Sequence, residues 1–391
     1  MRAGPARCLT GGEYARSYSR LTPIHRYARR ALLCMTVAVV GPVSSPLVRA
    51  QGPVFYKGRD FGSEAMYNPV SLTLNAGFDM FQVNRNRDFV HMPFAAGMRN
   101  VGKNLGDPLA AVRRYGWGNF LKDQVIPLGL SKDNGQWWPN YTLHLIGGGM
   151  TYRATTEWYE YHGFPAPVVF SLATMAVYHM VNEVTENGDY QGDNVDPIAD
   201  IYLFDLGGIL LFTSDDVSRF FAEDLNLADW SLQPSLSVRN GTLQNNGQFF
   251  SIKWKFPFSE NWHLFYLFGT NGLGGVSYRF DDGSALSFGI GLVAKDLITL
   301  NRSTNKKTVD LVPNVGIYYD IGNSLMTSLA ISKKTDYTVN LNIYPGFVRI
   351  AGIAPGCWFV LGKNGNAFIG LTLAVLPAGI AVPVDRRGRH L

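Results

Sequence analysis

Cysteine is scarce, with 3 residues in a chain of 391. Cys8 and Cys34 fall in the first fifty residues, which carry an export signal, so the remainder keeps only Cys357. No intrachain disulfide is then possible, and stability must come from packing or membrane insertion. Cys357 lies between Pro355-Gly356 and Trp358 with no His or Arg beside it, which suits a small apolar residue better than a reactive thiol. Charge is also sparse, at 17% of residues. After residue 50 no window offers the roughly eighteen clean apolar residues of a spanning helix, which argues against a multi-span inner-membrane protein. No Gly-x-Ser-x-Gly elbow, P-loop or His-Glu-x-x-His is present, and no Cys/His spacing suits zinc. Gly272-Leu273-Gly274-Gly275 lies between strands and reads as a turn, not a dinucleotide fingerprint. The expectation is therefore no cofactor and no metal.

The amino-terminal region has what the rest lacks. Arg29-Arg30 precede the apolar run Ala31 to Val40, Gly41-Pro42 breaks it, and small residues lead to Val48-Arg49-Ala50. A basic stretch, a short apolar run and a small-x-small site predict a signal peptide over 1–50, cut after Ala50; an uncleaved anchor is the alternative. The segment holds eight Arg and one Glu, so 35 basic and 30 acidic side chains become 27 and 29, a net charge of −2. The basic pI belongs to the signal, and the case for nucleic-acid binding leaves with it. The tail 385–391, with Arg386-Arg387-Gly388-Arg389-His390, reads as a solvated end.

Beyond the signal the pattern divides in three. Residues 51–138 are mixed: Val70 to Ala76 alternates and predicts a strand, Pro108 to Tyr115 a short helix, and no long periodic element appears. Residues 139–223 predict three helices, over 141–161, 165–187 and 196–212, the last opened by Asp196 as cap and Pro197, with a short helix over 215–222 to follow. Residues 229–384 predict strand after strand. Phe249, Ser251, Lys253 and Lys255 separate from Phe250, Ile252, Trp254 and Phe256, and Ser324 to Ser332 and Val339 to Ile343 alternate. Asn240-Gly241, Asn246-Gly247, Asp282-Gly283, Gly322-Asn323 and Asn364-Gly365 mark turns. The polar positions are mainly Ser, Thr, Asn and Gly, where a soluble sandwich would place charge. The fold expected is mainly β with a helical insert: an antiparallel transmembrane-type β-barrel of roughly ten to twelve strands plus a three-helix segment. One feature departs from such barrels, because the chain ends on a basic tail and not on an aromatic final strand.

Chemistry is expected on the helices. Ser171, Met175, His179, Asn182, Glu183 and Glu186 fall on one face of the second helix, and His144, Gly148, Thr151 and Thr155 on one face of the first. If these faces converge, His144, His179 and Glu183 form a general acid–base cluster or hold an ion; the alternative is a buried polar network that orients the helices. Arg153 and Glu157 have ion-pair spacing, and Gly147-Gly148-Gly149 lets another backbone approach. The stretch Asp189, Asp193, Asp196, Asp200 lacks the register of a calcium loop.

These residues carry a resemblance. Asn140-Tyr141-Thr142-Leu143-His144, Gly147-Gly148, Tyr152-Arg153, His179 to Glu183 with Glu186, Asp196-Pro197 to Asp200 and Gly207-Gly208 resemble a family of uncharacterised exported bacterial proteins, known only as a domain of unknown function. The likeness spans 139–212; Asn182-Glu183 stands where that family favours an aromatic residue beside its Glu. It implies an envelope location and no particular reaction.

The resulting expectation is a cell-outer-membrane protein, with the periplasm as alternative. Outer-membrane lipid is its partner, and the helices pack in the lumen or at the periplasmic mouth. The alternative function is an envelope enzyme acting on lipid or cell-wall material through His144, His179 and Glu183. Arg153, Glu157, Asn182, Glu186 and Asp200 make up the surrounding polar cluster.

Overall fold

The computed structural model describes residues 52–83, 87–88, 90–127, 138–187, 194–301, 306–363 and 365–384. The expected signal over 1–50 and its cut after Ala50, Asp189, Asp193, Asn364 and the basic tail lie outside the described residues.

From Ala228 onward the chain forms one sheet of 13 strands. They are β1 (Ala228–Asp229), β2 (Ser235–Ser237), β3 (Thr242–Gln244), β4 (Phe250–Lys255), β5 (Trp262–Phe268), β6 (Asn271–Arg279), β7 (Ser284–Asn301), β8 (Lys306–Ile321), β9 (Ser324–Ser332), β10 (Val339–Ile343), β11 (Pro355–Leu361), β12 (Ala367–Leu373) and β13 (Gly379–Pro383). β4 to β13 follow one another as an antiparallel meander, flanked by β1 on one side and by β2 and β3 on the other. Among the described residues only the β13–β2 pairing is parallel. The sheet order does not close on itself, but the chain between β1 and β2 links its flanks. Trp230 N and Leu232 N donate to Phe249 O and Gly247 O beside β4, while Pro234 O accepts from Gly379 N of β13.

Thirteen strands replace the ten to twelve expected because β1, β2 and β3 have only two or three residues each. Strands that short leave no alternation to find. The Gly322-Asn323 turn forms as its sequence predicts: both residues have positive φ, 57° and 73°, and Ile321 pairs with Ser324 across it. Such a turn matches the twist of the strands it joins.

The two faces of the sheet differ in an unusual sense. On β7, outward Leu286, Phe288, Ile290 and Leu292 are 45, 45, 58 and 46% exposed, while inward Ser287 is fully buried. The same alternation exposes Val315 and Ile317 on β8, Ile369 and Leu371 on β12, and Ile380 and Val382 on β13. The inward face buries Ser251, His263, Ser277, Asn314, Asn342 and Thr372. At its centre Trp230, Phe265, Leu267, Leu273, Tyr318, Leu325 and Tyr344 form an apolar cluster. Lys253 Nζ donates to both carboxylate oxygens of Asp320 at 2.7 Å beneath the ring of Trp230. A cavity of about 80 Å³ beside this cluster is lined by Asn246, Asn271, Asn314, Ser328, Lys334 and Asn342 among others.

The three predicted helices form. The first is a wide π-type turn, Pro139–Gly148, running into the helix Gly149–Tyr161; the second is Pro167–Asn187; the third spans Asp196–Ala199, a π-type turn Asp200–Asp205, and Leu206–Phe212. Two readings of 51–138 are corrected. Val70 to Ala76 is helical, as Pro69–Leu72 followed by Thr73–Gly77. Asn68 caps it by accepting from Val70 N and Ser71 N, with Pro69 in the first turn, and this local chemistry outweighs the alternation. Phe94–Gly106 is a 13-residue helix whose three glycines hide its period. The opening of the third helix also shifts: Val195 stands at the cap, Asp196 lies in the first turn, and Asn194 Oδ1 accepts from Asp196 N.

The helices lie elsewhere than within the sheet. Phe250, Ile252, Tyr266 and Phe268 share the outward face of β4 and β5 with exposed Trp254 and Leu264, as the register requires. Met150, Phe212, Leu143, Ile146 and Phe221 pack against them. The segment around 75–82 meets the strand ends, where Asn75 Oδ1 accepts from Gly247 N and Gln82 Oε1 accepts from Thr270 Oγ1, and residues 61–66 meet β9, where Ser63 Oγ accepts from Leu325 N and Met66 joins the apolar cluster. Helical residues thus cover the face of β4 and β5 that carries Phe250 and Phe268, opposite the face that carries Phe265 and Leu267. Among the described residues no single helix is long and apolar enough to cross a membrane; one pair, Asp196–Phe212 and Asp215–Asp224, bent by 91°, meets that length and composition.

The Lys253–Asp320 pair gives a measurable expectation. Asp320→Ala leaves a buried ammonium without its partner and should cost about 3–5 kcal/mol in equilibrium urea unfolding. The double change Lys253→Met with Asp320→Leu should cost much less. A loss below about 1 kcal/mol for Asp320→Ala would mean that water already reaches the pair.

Candidate functional site

The site begins with glycine. Gly147-Gly148-Gly149 on the first helix crosses Gly207-Gly208 on the third so tightly that a Cβ on Gly208 would lie 2.4 Å from Leu145 O. A Cβ on Gly149 would lie 2.7 Å from Gly208 O, and one on Gly147 would strike the Phe250 ring of β4. Only glycine lets these backbones touch. The crossing sets His144 opposite Asp205. Both stand in π-type turns, rare segments that widen a helix and turn side chains off its regular faces.

Asp205 sits between two imidazoles. His144 Nδ1 lies 2.9 Å from Asp205 Oδ1, and His179 Nδ1 lies 2.9 Å from Oδ2. The ring centroids are 5.8 Å apart. His144 Nε2 is 3.8 Å from Asp200 Oδ2. His179 Nε2 and Asp200 Oδ1 are buried without a hydrogen-bond partner. Glu183, 1% exposed, accepts from Asn187 Nδ2 at 3.1 Å. One donor atom each from His144, His179 and Asp205 falls within 4.8 Å of the others, the spacing of a potential metal-binding group.

Burial and charge tune these groups in opposite directions. Burial by itself would lower His144, but the charge of Asp205 and the hydrogen bond to it prevail and raise the imidazole to about 9. Burial would raise Asp205, yet His179 and His144 hold it below the ordinary carboxylate range. Glu183 is pushed well up by burial and then by Asp200, Glu186 and Asp196. Asp200 is pushed well up by burial and by Asp196, Asp205 and Glu186. The environment therefore favours charge on Asp205 and His144, whereas burial disfavours it on Glu183 and Asp200.

The structure brings together His144, His179 and Asp200 from the predicted residues, with Glu183 in the same electrostatic cluster. It separates others. Asn182 Nδ2 donates to Ala76 O and anchors the helical turn after residue 72. Arg153 and Glu157 pair at 2.9 Å as their spacing predicts, but in another place. Arg153 also reaches Asp215, and Glu157 accepts the backbone N–H groups of Val54, Phe55 and Tyr56. Glu186 belongs to the cluster through its charge on Glu183 and Asp200.

Asp205 was not among the residues predicted from sequence. Helical spacing of 3.6 counts Asp200 and Asp205 onto different faces, and the intervening π-type turn is invisible in the residue order. The nearest signal was the Gly207-Gly208 pair two residues on. Comparison with protein-family models, curated proteins and solved structures finds no match to this chain.

The pair His144–Asp205 has a pH signature. A raised imidazole contributes stability that is complete below its ordinary value of 6.5 and is lost as pH rises through about 9. The thermal midpoint of chelator-treated protein, followed by tryptophan fluorescence, should fall across that window. His144→Gln should flatten this part of the profile; an unchanged slope would assign the loss to other groups.

Proposed function

We propose that this chain is an outer-membrane β-barrel protein with a helical half docked on its outer face at one rim. The inverted polarity of the strands carries this reading: apolar side chains project from the exposed face and polar ones are buried behind it. In water that arrangement wastes the hydrophobic effect, whereas lipid on the outside makes it favourable. The bridge from β1 to β2 along residues 230–234 supplies hydrogen bonds to both flanks, which supports a wall without open edges. Trp254, Phe258, Trp262 and Phe280 stand exposed near the β4–β5 and β6–β7 turns, with Trp262 edge-on to Tyr278. Such a cluster suits an interfacial aromatic belt, and it lies at the strand ends opposite the helices. Exposed Val169, Phe170, Val177, Leu210 and Phe220 on the helices suit contact with the membrane surface. The aromatic cluster around Trp230 fills the interior, which favours an anchored protein over an open channel.

The enzyme reading keeps one supporting observation, the convergence of His144 and His179 on Asp205. Envelope lipids compared by mass spectrometry between wild type and folded His179→Ala or Glu183→Gln would reveal it; identical profiles would leave the membrane reading alone.

Two measurements test the barrel. Unboiled protein from outer membranes should migrate differently on a gel from boiled protein, and recovery wholly in the soluble periplasm would sink the proposal. Ile290→Arg, on the exposed face, should cost about 2–4 kcal/mol near the bilayer midplane and reduce the folded gel form. Ile290→Val should leave it unchanged.

A further inference from the structure

We propose that His144, His179 and Asp205 bind one divalent transition-metal ion, with Asp200 and Glu183 as neighbouring carboxylates. The inference goes beyond the membrane reading and does not rest on it.

The donor set is two imidazole nitrogens and a carboxylate, which suits zinc, manganese or iron in the divalent state better than calcium or magnesium. Two ligands about 2.1 Å from one ion at a right angle stand about 3 Å apart, so the 2.9 Å separations at both Asp205 oxygens match neighbouring positions around one metal. The 3.8 Å between His144 Nε2 and Asp200 Oδ2 is too long for a direct hydrogen bond. It places a carboxylate beside the ring nitrogen of His144 that does not face Asp205.

A second observation points the same way. His179 Nε2 and Asp200 Oδ1 are buried and make no hydrogen bond among the described residues. Unpartnered atoms of this kind are costly in a folded interior. His144 and His179 side chains are 14% and 8% exposed, so the site is nearly closed to solvent.

The test uses the full chain purified in detergent, stripped with EDTA and reloaded separately with Co²⁺, Mn²⁺ or Zn²⁺. Elemental analysis after gel filtration should find one ion per chain, and Co²⁺ should give visible absorption bands and a raised thermal midpoint. Asp200→Asn should weaken binding by about 10–100-fold while keeping one site per chain. His144→Gln with His179→Gln should abolish it. A wild-type chain that retains no ion from any of the three, or Co²⁺ bands unchanged in the double histidine variant, would overturn the assignment. The wild-type stoichiometry decides the matter even if that variant does not fold.

Discussion

Two helices whose backbones touch set the terms for the helical half. With Leu145 O only 2.4 Å from where a Cβ of Gly208 would stand, any side chain there would push the first and third helices apart. That distance fixes everything built across it. His144 meets Asp205 because the crossing is close, Asp205 reaches His179 because the second helix packs beside both, and Gly147 seats the assembly on Phe250 of β4. The polar centre thus follows from a steric permission, and the electrostatics act within the space so defined. Burial drives the carboxyls and imidazoles in opposite directions, and Asp205 reconciles them by taking both histidines at once.

The sheet answers a different demand. Its inward face joins a lysine–aspartate pair and a row of Ser and Asn side chains to an aromatic centre, while Leu, Ile, Val and Phe stand on the outside. The helices cover only the ends of β4 and β5 on that outer side. Both halves therefore use the same apolar surface, one part against protein and the rest facing outward. Phe250 and Phe268 are buried by helices, whereas Trp254 and Leu264 on the same strand faces are exposed.

Much of this was legible in the residues. Strands such as β4, β9 and β10 announce themselves by alternation, and three helices lie where periodicity puts them, whereas Gly272 to Gly275, read as a turn, lies inside β6. What escaped has physical causes. β1 to β3 are too short to show a period. The helix at Pro69–Leu72 is decided by the cap at Asn68, not by the pattern of its apolar residues. Asp205 lies beyond a π-type turn, so no regular count from His179 or Asp200 finds it. Arg153 with Glu157 was foreseen as a pair, but its role in gripping residues 54–56 depends on a contact more than a hundred positions back along the chain. The apolar interior around Trp230 hid in single residues drawn from many elements, which no local window collects.

That grip by Glu157 has a kinetic consequence. Its carboxylate closes a loop of 101 to 103 residues onto Val54, Phe55 and Tyr56, three backbone amides whose order depends on it. Loops of that span close at an entropic cost and slow the search for native contacts. The earliest described residues therefore wait for the helix at Gly149–Tyr161 before they acquire fixed partners at this carboxylate. In the order of synthesis this stretch precedes that helix; at this contact it is completed only after it.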